Sequence, residues 1–264
     1  MSLADSRGRS RRVRQRLERA RRRLVKAFRV LKDGDRFRGT IWCLWNSTAF
    51  SRWAKETNRK LWEETLEIST HIYEDAAKAI VGLPITGGQP GVMGGGGCDV
   101  RKLYFLARHR KPKVIVETGV SAGYSSRAFL EAIRANGIGR LYSSDLPLHL
   151  TREQVGCIVP PSMRNDWELY YDGDAKNIPL ILATVPRVDL FHYDSEKSVD
   201  AKRRVIGLIR QKMPVNGLIV VDDIDRDGYF RELSSHSPQD SMVFRNVGVI
   251  GIQSGSQVGA AREE

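Results

Sequence analysis

Three apolar runs restrict this chain more than anything else in it: VIVE at 114–117, DLFHY at 189–193 and GLIVV at 217–221. Each is short and lies between stretches with helical periodicity. Such a strand has no polar face to give to water, so both of its faces must be covered. Helices that cross over between parallel strands do this. From Val100 onward the alternation is regular. The pattern predicts helix 100–109, strand 113–118, helix 124–135, strand 140–144, strand 167–171, helix 175–184, strand 188–193, helix 199–212 and strand 217–222. A last pair lies around 229–234 and 242–252. The expected class is α/β, a doubly wound and mostly parallel sheet.

The first 99 residues read differently. Residues 1–38 carry 15 Lys/Arg against 4 Asp/Glu, so nearly all of the chain's net charge of +12 sits there. The body is close to neutral, which disfavours nucleic acid as the substrate of a catalytic core. Val13, Leu17, Ala20, Leu24, Phe28 and Leu31 recur at steps of three and four, so the basic stretch reads as an amphipathic helix. It reads as a helix that packs on the body or on a partner, or as one that docks on an anionic membrane surface or, with less support, on nucleic acid. A second helical zone covers 50–81, with Leu61, Thr65, Ile68, Ile72, Ala76 and Ile80 on one face and Trp53 and Trp62 turned to the core. Gly87–Gly97 is too glycine-rich for regular structure, and reads as a connector or as a lid. The expected organisation is a basic extension at 1–40, a helical segment and Gly-rich loop at 41–99, a catalytic domain at 100–254 and a flexible tail at 255–264. Cys43, Cys98 and Cys157 have neither disulfide nor zinc spacing. With no transmembrane run, this points to the cytoplasm, with peripheral contact at the inner membrane surface left open. A homo-oligomer is also left open.

VIVETGVSAGYSS, Val114 to Ser126, turns from buried strand into small-residue loop at Glu117. In an open α/β sheet such a loop, at the carboxyl end of a strand, is where a ligand binds. Gly119 and Gly123 are spaced G-x-x-x-G, not the G-x-G-x-x-G of dinucleotide sites. Glu117 would also repel a pyrophosphate. A nucleoside ligand with a positive end fits better.

Glu117-Thr-Gly-Val-Ser-Ala-Gly-Tyr-Ser resembles the first motif of class I S-adenosylmethionine-dependent methyltransferases. The closest group is the metal-dependent, catechol O-methyltransferase-like enzymes and the bacterial sugar and natural-product O-methyltransferases. The resemblance covers about residues 100–252 and implies a Rossmann-like, seven-stranded sheet with an N-terminal helical extension. It implies cofactor contacts from Glu117, Gly119, Ser121, Gly123, Tyr124 and Ser125. Asp145, closing the next strand 28 positions later, would hold the ribose hydroxyls. Asp172-Gly173-Asp174-Ala175 would lie beside the adenine, although the same residues suit a helix N-cap.

VDLFHYDSEKS, Val188 to Ser198, and GLIVVDD, Gly217 to Asp223, carry the remaining chemistry. On neighbouring strands, Asp194, Asp222 and Asp223 would converge and need a cation or shifted pKa values to coexist. An all-oxygen set suits Mg²⁺. Asp194 also counts among the cofactor contacts. By resemblance Lys197 is the general base, with His192 as an alternative. The family's last ligand position is usually Asn, where this chain has Asp223. The expected activity is Mg²⁺-dependent O-methylation of a small hydroxylated acceptor, such as a glycan, glycolipid or other sugar-containing molecule. The alternatives are a metal-independent methyltransferase acting on nucleic acid or protein, and a non-catalytic adaptor with the same fold.

Overall fold

The computed structural model describes residues 33–80, 99–148, 150–236 and 238–252. The basic stretch 7–31 and the Gly-rich loop 87–97 lie outside them. Two helices lead, α1 (Gly34–Asn46) and α2 (Phe50–Ile80). Then come α3 (Val100–Arg110), β1 (Val114–Thr118), α4 (Tyr124–Asn136), β2 (Arg140–Ser144), β3 (Trp167–Tyr170), α5 (Asp174–Thr184) and β4 (Leu190–Tyr193). The chain continues through α6 (Val199–Arg210), β5 (Leu218–Val221), α7 (Tyr229–Ser235), β6 (Ser241–Phe244) and β7 (Val247–Ile250).

The seven strands form one sheet in the order β3-β2-β1-β4-β5-β7-β6. The first five are parallel, and β7 runs antiparallel to both β5 and β6. This is the doubly wound sheet expected from the strand pattern. The segment 242–252, read as a single closing element, is a hairpin. It turns at Arg245-Asn246, where Arg245 takes a positive φ of 56°.

Two apolar layers cover the sheet. Phe105 of α3, Phe129 of α4, and Leu61 and Trp62 of α2 pack over Ile115, Leu141, Leu190 and Val220. Ile178 and Ile181 of α5, Val205 and Ile209 of α6 and Phe230 of α7 pack over Val116, Phe191 and Ile219. Burial of each such side chain contributes about 2 kcal/mol. That is why β1 is buried along its whole length and opens on the apolar run Val114 to Val116.

Helix α2 is not one straight rod. Asn58 leaves helical geometry at φ −157°, ψ 92°, and its side chain accepts a hydrogen bond from the Leu61 amide at 3.0 Å. It acts as an internal N-cap and bends the helix there. Beyond the bend the predicted face is buried at Leu61, Thr65, Ile72 and Ala76, with Trp62 buried and Trp53 half-buried against the core. The turn between α1 and α2 docks on the outer strand. Ser47 bridges Val243, and the Thr48 amide donates to the Val243 carbonyl at 2.7 Å. The edge of β6 is thereby partly covered. Among the described residues, no helix is long and apolar enough to cross a membrane.

Candidate active site

The chain reverses its direction of winding between β1 and β4, and the loops beyond their carboxyl ends frame a crevice. Strand pairing continues into these loops. The Gly119 amide donates to the Ser144 carbonyl at 2.8 Å, the Asp194 amide to Thr118 at 3.0 Å and the Asp222 amide to Tyr193 at 2.9 Å. Glu117, Asp145, Asp194 and Asp222 are thus fixed at neighbouring strand ends by backbone geometry.

Gly119, at φ +80°, meets the end of β4 closely. A Cβ there would lie 2.2 Å from the Asp194 carbonyl oxygen, so no other residue fits without moving the backbone. Ser121, between the glycines, also takes a left-handed φ of 50°. The long connection after β2 is clamped onto this loop. The Gly156 amide donates to the Ser121 carbonyl at 2.8 Å, and the Ile158 amide to Ala122 at 3.2 Å. Tyr124 and Ser125 open α4 and are buried.

Glu117 is wholly buried. Its Oε1 accepts from the hydroxyls of Ser126 and Ser143, while Oε2 is buried with no partner. Burial pushes its pKa up to about 7 against the opposing pull of those serines. Its ionised form, with one orphaned oxygen, suits a cationic group arriving from outside. Asp145 accepts the Val120 and Ser121 amides at 2.7 and 2.9 Å, both on Oδ2. It therefore caps the glycine loop, whatever else it holds. Asp174 opens α5 and accepts from the hydroxyls of Ser144, at 2.6 Å, and Ser195. Burial raises its pKa. Asp172 points outward and pairs with Arg152 at 3.0 Å on the surface, apart from the other carboxylates. Ala175 is exposed. At Gly173, φ +78°, an added Cβ would first meet the side chain of Leu146, at 3.7 Å.

The second half of the site is a charged cluster. Lys197 forms an ion pair with Asp194 and a second with Asp223 at 3.3 Å. Asp223 also meets Arg226 at 3.1 Å and holds a left-handed φ of 54°, a mildly strained backbone of the kind found at functional positions. Asp222 is buried. Its Oδ1 accepts from the Asp223 amide at 2.7 Å and from Asn246 at 3.3 Å, and Asn246 also donates to Asp223 at 3.2 Å. Burial, then Asp194, pushes the Asp222 pKa up. Burial also raises Asp194, outweighing its ion pair. Burial pulls Lys197 down, but Asp194 and Asp223 more than reverse this, so its pKa lies above the ordinary lysine value. The two carboxylates thus favour the ammonium form of Lys197. His192 is buried and packs edge-on to Phe129, with ring centroids 5.7 Å apart. Burial, then Lys197, lowers its pKa to about 3, which makes it a poor proton acceptor.

The donor chemistry of Asp194, Asp222 and Asp223 suits a hard cation, but their arrangement does not. Lys197 bridges two of the three and Arg226 holds one. Among the described residues, no group of three or more His, Cys, Asp or Glu side chains is gathered to hold a metal ion. The residues do not fit Mg²⁺ as they stand. Sequence reasoning missed Ser126, Ser143, Ser195, Arg226 and Asn246. Asn246 comes from the β6–β7 turn, and no spacing in the chain ties it to Asp222.

Residues 116–224 match a family described as a methyltransferase domain. The chain carries a methyltransferase domain. This agrees with the class I S-adenosylmethionine-dependent methyltransferase that the motifs resemble, and the matched span holds all of the predicted site residues. No curated protein sequence matches the chain significantly. Among solved structures, the domain is similar to a putative O-methyltransferase from Klebsiella pneumoniae. That match is 18% identical, covers 69% of this chain and 88% of the other, and has a TM-score of 0.49. It is also similar to the O-methyltransferase TomG from Streptomyces achromogenes in complex with SAM, at 14% identity, 69% and 88% coverage and a TM-score of 0.49. A Bacillus cereus O-methyltransferase in complex with SAH matches at 14% identity, 77% and 97% coverage and a TM-score of 0.45. Likenesses of this degree carry no weight for substrate or metal.

Proposed function

We propose that this methyltransferase domain moves a methyl group from S-adenosylmethionine to a hydroxyl of a small hydroxylated acceptor, a sugar-containing molecule being the favoured class. One observation carries the reading. Glu117, Asp145 and Asp174 form no ion pair with any described residue, while the adjoining cluster around Lys197 is charge-paired. The first half is therefore suited to a cationic ligand, and the second to an oxygen that develops charge.

Bound S-adenosylmethionine supplies a methyl group on a positively charged sulfur. Glu117 would face its cationic amino acid end through the orphaned Oε2. Asp145 Oδ1 would take the ribose hydroxyls, and Gly173 and Asp174 would border the adenine. Lys197, as an ammonium, steadies the negative charge that grows on the acceptor oxygen. As the O–CH₃ bond forms and the S–CH₃ bond breaks, the sulfur leaves as a neutral thioether. The hydroxyl proton passes to the carboxylates of the cluster. The protein's contribution is alignment and fixed charge. No step is routed through a metal, because a divalent ion would first have to displace Lys197 from Asp194 and Asp223.

Titration calorimetry of S-adenosylmethionine into the protein, with and without EDTA, tests this. Binding should occur in both conditions. Absence of binding in both would overturn the reading, and turnover lost only with EDTA would restore the metal.

A further inference from the structure

Helix α1 has two apolar faces, and only one packs against other described residues. Gly39 and Cys43 are buried on the inner face. A Cβ at Gly39 would come 2.3 Å from the Asp225 carbonyl oxygen, so the helix lies directly against the loop that follows Asp222 and Asp223. Trp42 meets the edge of Phe230, with ring centroids 6.5 Å apart. On the opposite side, Phe37, Ile41, Leu44 and Trp45 are exposed, Leu44 at 69% and Trp45 at 85%. At steps of four, three and one, these side chains share one strip of the helix. Scattered apolar side chains on a surface are ordinary, but a strip of four that includes an indole calls for a partner.

Charge identifies that partner. Residues 1–38 carry a net charge of +11 and run directly into the strip. Beyond it, Arg52, Lys55, Arg59 and Lys60 of α2 are all exposed. A second copy of this chain would bring two such basic segments together, and they would repel. An anionic bilayer attracts them and takes the strip, tryptophan included, at its interface. We propose that the Phe37–Trp45 face of α1 docks on the surface of an anionic lipid membrane. Because the inner face of α1 rests on the loop after β5, docking would set the helix between the lipid and that loop. The inference stands apart from the transfer chemistry.

Co-sedimentation of the full chain with vesicles of phosphatidylglycerol and phosphatidylcholine, against pure phosphatidylcholine, tests it. The expected result is binding to the anionic vesicles that weakens at about 0.5 M salt. Leu44→Glu/Trp45→Glu should reduce it about tenfold or more, with the melting temperature and S-adenosylmethionine binding unchanged. Leu180→Glu, an exposed apolar site on α5, should have no effect. If the double variant melts early, Trp45→Ala gives the same direction with a smaller loss. Wild-type protein that ignores anionic vesicles, or variants that bind as wild type does, would overturn the proposal. So would a double variant whose only change is from dimer to monomer in light scattering.

Discussion

The two halves of the crevice solve the problem of buried charge in opposite ways. Beyond β1, β2 and β3, the carboxylates of Glu117, Asp145 and Asp174 are held by serine hydroxyls and loop amides. Beyond β4 and β5, Asp194 and Asp223 are held by Lys197 and Arg226. Neutral donors fix a carboxylate in position without cancelling its charge, so the first half still attracts a cation. Ion pairing cancels charge in advance, so the second half has little net charge for a metal to neutralise.

The sharpest way to break the comparison is Asp145→Ala. It removes the acceptor for the Val120 and Ser121 amides as well as the proposed ribose ligand. Calorimetry should show S-adenosylmethionine affinity falling about 100-fold or more. Retained affinity would mean that the first half is not the cofactor half.

Glu117→Gln should have the next largest effect, and its sign depends on pH. In the folded protein the Glu117 pKa is raised to about 7 from an ordinary 4.5. The protonated form is therefore favoured on folding, and its contribution is fully present below about pH 4.5. It is lost as pH rises through 7, and levels off above that. The loss is of the order of 3 kcal/mol. Subtracting the melting curves of Glu117→Gln from those of wild type across this range should recover that slope. Binding a cationic ligand requires the ionised form. Wild-type affinity should fall about tenfold per pH unit below 7, and the Gln variant should be flat. Parallel pH profiles would remove Glu117 from the binding site.

Lys197→Met tests the other half. Without the ammonium, Asp194 and Asp223 lose their shared partner and regain affinity for a hard cation. Mg²⁺ should raise the melting temperature of the variant by several degrees, and that of wild type little. A wild-type shift as large as the variant's would show that the lysine yields to metal. The smallest effect expected is from Arg152→Ala, which breaks the exposed pair with Asp172. The change in stability should stay within about 0.5 kcal/mol, and S-adenosylmethionine affinity should hold. A large loss of affinity would return Asp172 to the site.

Much of this molecule was legible in the chain. Strands buried on both faces must be written as apolar runs, so VIVE, DLFHY and GLIVV declared themselves. A loop that must turn tightly at a strand end must carry glycine, so Gly119 declared the crevice. Carboxylates at strand ends followed by recognisable spacings gave Asp145, Asp194 and Asp222. These features are local, and local geometry leaves a mark in the order of residues. The bend at Asn58 and the hairpin at 245–246 were missed because a single polar residue or a two-residue turn barely disturbs the periodicity around it.

The direction in which each pKa moves was decided only by the fold. Lys197 stood as a base by resemblance; its packing between Asp194 and Asp223 moves its pKa above the ordinary lysine value. His192 read as an alternative base, yet burial under Phe129 keeps it neutral and weakly basic. Asp222 and Asp223 stood as metal ligands; Asn246 reaches both from the distant β6–β7 turn, and Arg226, three residues on, pairs with Asp223. A pKa depends on dehydration and on charges a few ångströms away in space, and sequence separation measures neither. The chain by itself determined which groups stand at the crevice, because strand ends are set by local pattern. Tertiary packing alone decided which way the pKa of each of those groups is pushed, because it chose their neighbours.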